Sequence, residues 1–260
     1  MTRRAAAVAG SFYPGTSALL QAQVEALLQQ AQAHPGRTPK ALVVPHAGYV
    51  FSGGTAAQAY RLLQGAAEPP SRVVMLGPAH RVYLRGIAVP SVDYFSTPLG
   101  DIPLDLAFIE RALELPGVSV ADQAHELEHS LEVQLPFLQC VLPQFTLVPV
   151  VVGDSPAADV AAVVDALWGG PETLIVISTD LSHFQDYESA EAHDQQTCER
   201  ILRGDSSLHG TDACGAAPLN GLLRSEHGGC LHRKLLGRCN SGDATGERQR
   251  VVGYGAFALF

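Results

Sequence analysis

Three histidines follow short apolar runs of the kind that form buried strands. They are His46 after the run at 41–44, His80 after the run at 72–76, and His183 after the run at 173–178. Neighbouring strand ends of a parallel sheet lie about 5 Å apart, so loops that follow different strands can bring imidazole rings to one ligand. The placement of these histidines therefore predicts a metal or substrate site at the strand ends.

A second histidine motif competes with this interpretation. His125, Glu126 and His129 fit the pattern H-E-x-x-H, which on a helix places two zinc ligands one turn apart beside a glutamate base. Taken alone, the motif predicts a zinc metalloprotease. Ser130, however, has the features of a helix N-cap, and the two histidines would then straddle a helix start. The protease is kept as an alternative.

Other candidate residues have two interpretations each. Asp180 either caps a turn after a strand or orients a histidine such as His183. Tyr13 and Tyr49 either line a substrate pocket or belong to the core. The five cysteines are an odd number without a C-x-x-C pair, so they indicate neither a disulfide framework nor a zinc knuckle, and Cys214 by itself has the character of a small buried residue.

Two patterns of hydrophobic residues alternate along the sequence and predict the strands and helices that position these residues. Continuous apolar runs predict buried strands, and amphipathic segments predict helices between them. The predicted strands are 41–44, 72–76, 146–152, 173–178 and the tail at 250–260. The predicted helices are 18–33, 55–63, 104–113, 130–141, 157–168 and 188–203, with His34-Pro35-Gly36 ending the first. This alternation predicts a three-layer α/β/α fold with a mostly parallel or mixed sheet. Without a repeat or linker, residues 1–260 are expected to form one domain.

The amino-acid composition and net charge argue against several classes of function. The 260 residues are 47% hydrophobic and 17% charged, which is typical of a soluble globular protein. The net charge of −9 argues against nucleic acid or an anionic membrane as a partner and favours a small neutral or cationic ligand. No apolar run approaches the roughly 20 residues of a membrane span. Because the N-terminus lacks the apolar stretch of a signal peptide, we expect a cytoplasmic protein.

Several strings resemble the Memo family, which in bacteria appears as AmmeMemoRadiSam system protein B. They are residues 9–14, 45–49 with Ser52-Gly53, 76–80, 128–132 through Leu135-Pro136, 178–183, and Cys214-Gly215 with Pro218. Their order and spacing extend from about residue 9 to Tyr254-Gly255-Ala256. The resemblance therefore covers nearly the whole chain.

The resemblance implies a fold similar to the LigB subunit of class III extradiol dioxygenases, which use non-haem iron(II). It implies metal ligation by His46, His80 and Cys214, with His183 as the acid/base residue and Asp180 and His129 close by. Iron(II) is the first expected metal, copper the second and zinc the third. The substrate would be a small oxidisable molecule or a peptide, contacted by Tyr49 and Tyr13.

Ligation by the Cys214 thiolate would leave the type of reaction undecided. Iron(II) oxygenases commonly combine two histidines with a carboxylate, whereas sulfur is softer and can itself be oxidised. The resemblance therefore predicts a metal site more firmly than it predicts ring cleavage. The alternative function is a binding or metal-handling module that partners a radical-S-adenosylmethionine protein, as the bacterial system name suggests.

Overall fold

Strands and helices alternate along the parts of the chain described by the computed structural model, residues 1–32 and 37–260. The strands there are β1 (Arg3–Arg4), β2 (Ala41–Val44), β3 (Arg72–Pro78), β4 (Ile87–Val89), β5 (Tyr94–Thr97), β6 (Gly100–Pro103), β7 (Val118–Val120), β8 (Thr146–Val152), β9 (Thr173–Ser178), β10 (His183–Gln185), β11 (Arg233–Asn240) and β12 (Val251–Leu259). The helices are α1 (Ser17–Gln30), α2 (Tyr49–Tyr60), α3 (Leu106–Leu113), α4 (Asp122–Glu126), α5 (Leu135–Val141), α6 (Ala157–Ala166), α7 (Tyr187–Arg203), α8 (Ala216–Arg224) and α9 (Ser241–Thr245). Short 3-10 turns cover Arg61–Leu63, Glu132–Gln134 and Gly228–Cys230.

The main sheet is mixed, with a parallel centre. Strands β2, β9, β3 and β8 lie side by side and run in one direction. Antiparallel strands flank them, β12 beside β2 and β4 beside β8. Because the central strands are parallel, their carboxyl ends meet at one edge of the sheet, which is where ligands bind in folds of this type.

Helices cover the sheet in two groups and complete a three-layer fold. Helix α2 packs on β2, β11 and β12 together with α1 and α5, while α8 packs on β3 and β9 together with α6. The central strands are buried along almost their whole length, which explains their continuous runs of valine, leucine and isoleucine. A separate three-stranded sheet, β1-β5-β6, ties the N-terminus to residues 94–103.

The strands at the centre of the sheet match the sequence-based prediction closely. Strands β2, β8 and β9 have the predicted bounds, β3 extends two residues further, and β12 covers the predicted tail strand. The predicted α/β/α fold is therefore confirmed. That residues 1–260 form one domain stays a prediction, although strands from both halves of the chain alternate in the main sheet.

The helix predictions differ mainly at their ends. Helix α2 begins six residues before the predicted start, and the segment predicted as a helix from Ser130 begins as a 3-10 turn at Glu132. Ser130 does not cap a helix, because its hydroxyl donates to the Pro78 carbonyl. Helix α1 ends at Gln30, and the predicted stop at 34–36 lies outside the described residues. Among the described residues, no helix is both long and apolar enough to cross a membrane.

Candidate metal centre

The structure brings His46, His80 and His129 together at the carboxyl edge of the sheet. His46 lies two residues after β2, His80 two residues after β3, and His129 three residues after α4. Their ring centroids are 4.9 to 5.5 Å apart, and one potential donor atom from each lies within 4.8 Å of the other two. Donors around one ion at about 2.1 Å can be at most about 4.2 Å apart, so a small rotation of the rings would close the site.

The hydrogen bonds of His46 fix its tautomer. Its Nδ1 lies 2.9 Å from the hydroxyl of Ser178, which donates its own proton to the Ser130 carbonyl and accepts a bond from Gln134. Because the hydroxyl has no second proton to give, Nδ1 of His46 must be the donor in that pair. The proton-free atom of the ring is therefore Nε2, the atom a metal ion would bind.

His80 also uses Nδ1 as its hydrogen-bond donor, but its partner is a carboxylate. Its Nδ1 lies 3.0 Å from Oε1 of Glu128, a carboxylate whose other oxygen accepts the backbone N–H of His80 at 2.6 Å. Burial opposes ionisation of Glu128, but the bonds and charge from His80 and the backbone N–H of Ser130 outweigh it and hold the pKa of this carboxyl well below its usual value. An ionised carboxylate only accepts, so Nδ1 carries a proton, and Nε2 is the nitrogen through which the neutral ring would bind a metal ion.

Glu128 also positions His129, the third member of the cluster. Its Oε1 accepts the backbone N–H groups of His129 and Ser130 at 2.9 and 2.8 Å. Burial lowers the pKa of His129 to about 4 and that of His46 well below its ordinary value, with like charge from neighbouring histidines adding to both shifts. Both rings are therefore neutral at pH 7, as metal ligation requires.

Cys214 approaches the cluster beside His46. Its Sγ lies 3.3 Å from Nε2 of His46 and accepts the backbone N–H of Asp180 at 3.3 Å. Burial, followed by the charge of Asp180, raises the pKa of the thiol to about 12. The thiolate needed for ligation therefore requires the positive charge of an ion at this point. That Cys214 is a ligand stays a prediction, but its sulfur is within reach of an ion bound to His46.

Asp180 lies on the loop between β9 and β10, and His183 is the first residue of β10. The carboxylate of Asp180 accepts the backbone N–H of His46 at 2.7 Å, so it holds the loop that carries this histidine. Burial raises the pKa of Asp180 to about 7 despite those bonds. His183 donates from Nδ1 to the Leu181 carbonyl at 2.9 Å, which leaves Nε2 as its basic atom. Their catalytic roles stay predictions.

The two tyrosines predicted to contact substrate are fully buried, and their hydroxyls already have partners. Tyr49 donates to the Val133 carbonyl at 2.7 Å, and Tyr13 donates to the carboxylate of Glu132. Glu132, which is inaccessible to solvent, also pairs with buried Arg4. These groups support the loop that carries His129, and a substrate contact by either tyrosine stays a prediction.

The H-E-x-x-H interpretation is wrong in this fold. Helix α4 ends at Glu126, so His125 and His129 do not share a helical face. The buried ring of His125 points elsewhere, because its Nε2 lies 3.1 Å from the Ala88 carbonyl and the ring packs edge-on against Phe95. The sequence pattern spans residues 125–129, but the helix that would place both histidines on one face ends at Glu126.

Sequence reasoning assigned no role to Glu128, Ser178 or Gln134, although these residues set the donor atoms of the site. Glu128 begins the family-like string at residues 128–132, and its position directly before His129 was the only local signal of its role. Ser178 is the last residue of β9 and Gln134 lies in a 3-10 turn. Their function depends on contacts between segments 44 or more residues apart, which no local pattern reveals.

Comparisons with known proteins agree with this architecture. A family profile described as "Memo-like protein" matches residues 4–258. A MEMO1 family protein of Aquifex aeolicus is 35% identical over 266 residues, covering 98% of each chain. A MEMO1 family protein of Methanothermobacter thermautotrophicus is 33% identical over 273 residues, covering 96% of this chain and 98% of the relative.

One solved structure is similar in fold. The uncharacterized protein JW3007 from Escherichia coli K12 aligns with a TM-score of 0.56 and 17% sequence identity, over 84% of this chain and 99% of that protein. At this identity the likeness concerns the fold alone.

Proposed function

Because this chain belongs to the family of Memo-like proteins and brings three histidines together at the strand ends, we propose that it is a metal-dependent protein with an iron(II) centre. The observation that supports the proposal most strongly is that both His46 and His80 use Nδ1 as a hydrogen-bond donor, so that Nε2 of each ring is the nitrogen available to a metal ion. Two such imidazoles at the same edge of the sheet, after β2 and β3, are the usual start of a protein metal site.

The donor set fits a metal with three protein ligands. His46 and His80 would hold the ion, and either His129 or Cys214 would supply the third donor. Imidazole suits iron, copper and zinc, whereas thiolate favours copper(I) or zinc. We rank iron(II) first because of the resemblance to LigB-type dioxygenases, then copper, then zinc.

The proposed chemistry is oxygen-dependent oxidation of a small substrate. Bound iron would supply a Lewis acid that also exchanges electrons with dioxygen and substrate. His183 would move a proton through Nε2, because its Nδ1 is committed to the Leu181 carbonyl. Burial lowers the pKa of His183, so its ring is neutral near pH 7 and can accept a proton from a substrate hydroxyl. Asp180 would keep the His46 loop in place through its backbone bond.

Metal analysis after purification without oxygen tests the proposal. We expect about one iron per chain in the wild type and none in His46→Ala or His80→Ala, since each variant removes one of the two imidazoles that would hold the ion. His125→Ala is the matched control, because its ring bonds to Ala88 and lies outside the cluster. Iron that persists in both cluster variants, or disappears only with His125, would overturn the assignment.

Two further variants identify the third donor. Loss of iron in Cys214→Ala but not in His129→Ala would assign the sulfur, and the reverse result would assign the third imidazole. A fully loaded protein that turns over no substrate would instead favour the binding or metal-handling role with a radical-S-adenosylmethionine partner. The expected cytoplasmic location is part of the same proposal.

A further inference from the structure

A cleft of about 420 Å³ opens beside the candidate metal centre. His80 and Cys214 form part of its wall, and residues 78–84 and 152–154 form most of the rest. This volume lies within the range of small-molecule sites, which span about 300 to 1,000 Å³. A ligand in this cleft would therefore contact the same residues that reach the metal.

The cleft contains one positive and one negative side chain that are not paired with each other. Arg81 and Asp154 both line it and are exposed, and the ion pairs formed within residues 1–32 and 37–260 include neither of them. A chain with a net charge of −9 thus places an uncompensated guanidinium directly after a candidate metal ligand.

Guanidinium groups recognise carboxylates through two parallel hydrogen bonds, and this geometry suits a planar organic anion. The exposed carboxylate of Asp154 would repel a ligand that carries several negative charges. The overall charge of the chain favoured a neutral or cationic ligand, but the local charge of the cleft decides what enters it.

We infer that the cleft binds a small organic monoanion, with Arg81 pairing its carboxylate while the opposite end of the molecule faces His80 and Cys214. The inference rests on the proposed function, because it concerns the substrate of the same metal centre. Arg81 is then the residue that selects a carboxylate-bearing substrate over a neutral analogue.

A matched pair of iron-binding probes tests the inference without catalysis. Benzohydroxamate and 4-carboxybenzohydroxamate differ only in a carboxylate, and each gives a visible absorption band when it binds ferric iron. We expect the wild-type ferric protein to bind the carboxylated probe about fivefold more tightly, as for one ion pair at an open cleft. Arg81→Gln should reduce this ratio to about one, and added salt should reduce it in the wild type.

Arg85→Gln is the control for overall charge. Arg85 is exposed, lies four residues from Arg81 and does not line the cleft, so the binding ratio should keep its wild-type value. Asp154→Asn should increase the ratio. A wild-type ratio of one, or an equal fall in both arginine variants, would overturn the inference while leaving the metal centre intact. Failure of both probes to bind the iron-loaded wild type would show that the iron is not accessible from this cleft and would overturn the inference, whereas the metal analysis above tests the centre itself.

Discussion

The substitution Glu128→Gln tests whether a buried carboxylate sets the metal affinity of the cluster. Glu128 accepts three hydrogen bonds at Oε1 and one at Oε2, and its side chain is 1% exposed. A glutamine with its carbonyl in the place of Oε1 keeps three of them as weaker neutral bonds. Its NH₂ group then faces the backbone N–H of His80, so two donors meet where a donor and an acceptor did.

The expected cost has two parts. One buried donor left without an acceptor costs about 1–3 kcal/mol of folding free energy. Loss of the charge that holds the proton on Nδ1 of His80 weakens metal binding about 10- to 100-fold, as for other carboxylates that orient a ligating histidine. The first effect is measured by urea denaturation of metal-free protein, and the second by competition with a coloured chelator.

Glu126→Gln is the matched control for this experiment. Glu126 is exposed, lies two residues away and loses the same charge, so both quantities should stay at their wild-type values. A change in metal affinity below about threefold for Glu128→Gln, or an equal change in both variants, would refute the role derived for Glu128.

Three further predictions concern stability. Burial lowers the pKa of His125 to about 4, so between pH 6.5 and 4 the unfolded chain binds the proton first, and stability present above pH 6.5 is lost as the pH falls. His125→Gln should remove on the order of 3 kcal/mol of this acid sensitivity in urea titrations at pH 7 and 4, and identical pH profiles would contradict the assignment. Phe184 has φ of +63°, so Phe184→Gly should be about 1 kcal/mol more stable than Phe184→Ala, which keeps the strain while losing the same ring. Equal melting temperatures for these two variants would exclude strain at this position. A Cβ at Gly253 would lie 1.7 Å from Oδ2 of the fully buried Asp194, so Gly253→Ala should destabilise the protein by more than about 2 kcal/mol, and a wild-type midpoint of denaturation would contradict that contact.

The sequence predicted the central sheet and the first two members of the cluster because their determinants are local. Strands β2, β8 and β9 are continuous apolar runs, which is how strands buried on both faces are recognised. His46 follows β2 and His80 follows β3, which are separated only by β9, so their positions at one edge follow once these parallel strands are placed in the sheet.

The remaining parts of the site depend on contacts between distant segments. His129 joins the cluster because Glu128 and Arg4 fix its loop, and Arg4 donates to the Glu128 carbonyl from 124 residues away. The sequence does not show where the hydroxyl of a tyrosine points. It therefore could not decide whether Tyr13 and Tyr49 lie in the core, where the structure places them, or line a pocket. The central claim about the metal depends on the same long-range bonds.

The most direct test of that claim is a crystal structure of the iron-loaded protein with anomalous data collected at the iron edge. We expect one strong anomalous peak bonded through Nε2 of both His46 and His80, at about 2.1 Å as for imidazole ligands of similar ions. A peak bonded through Nδ1 of either ring, or located at His125, would contradict the tautomers derived from Ser178 and Glu128 and with them the proposed centre.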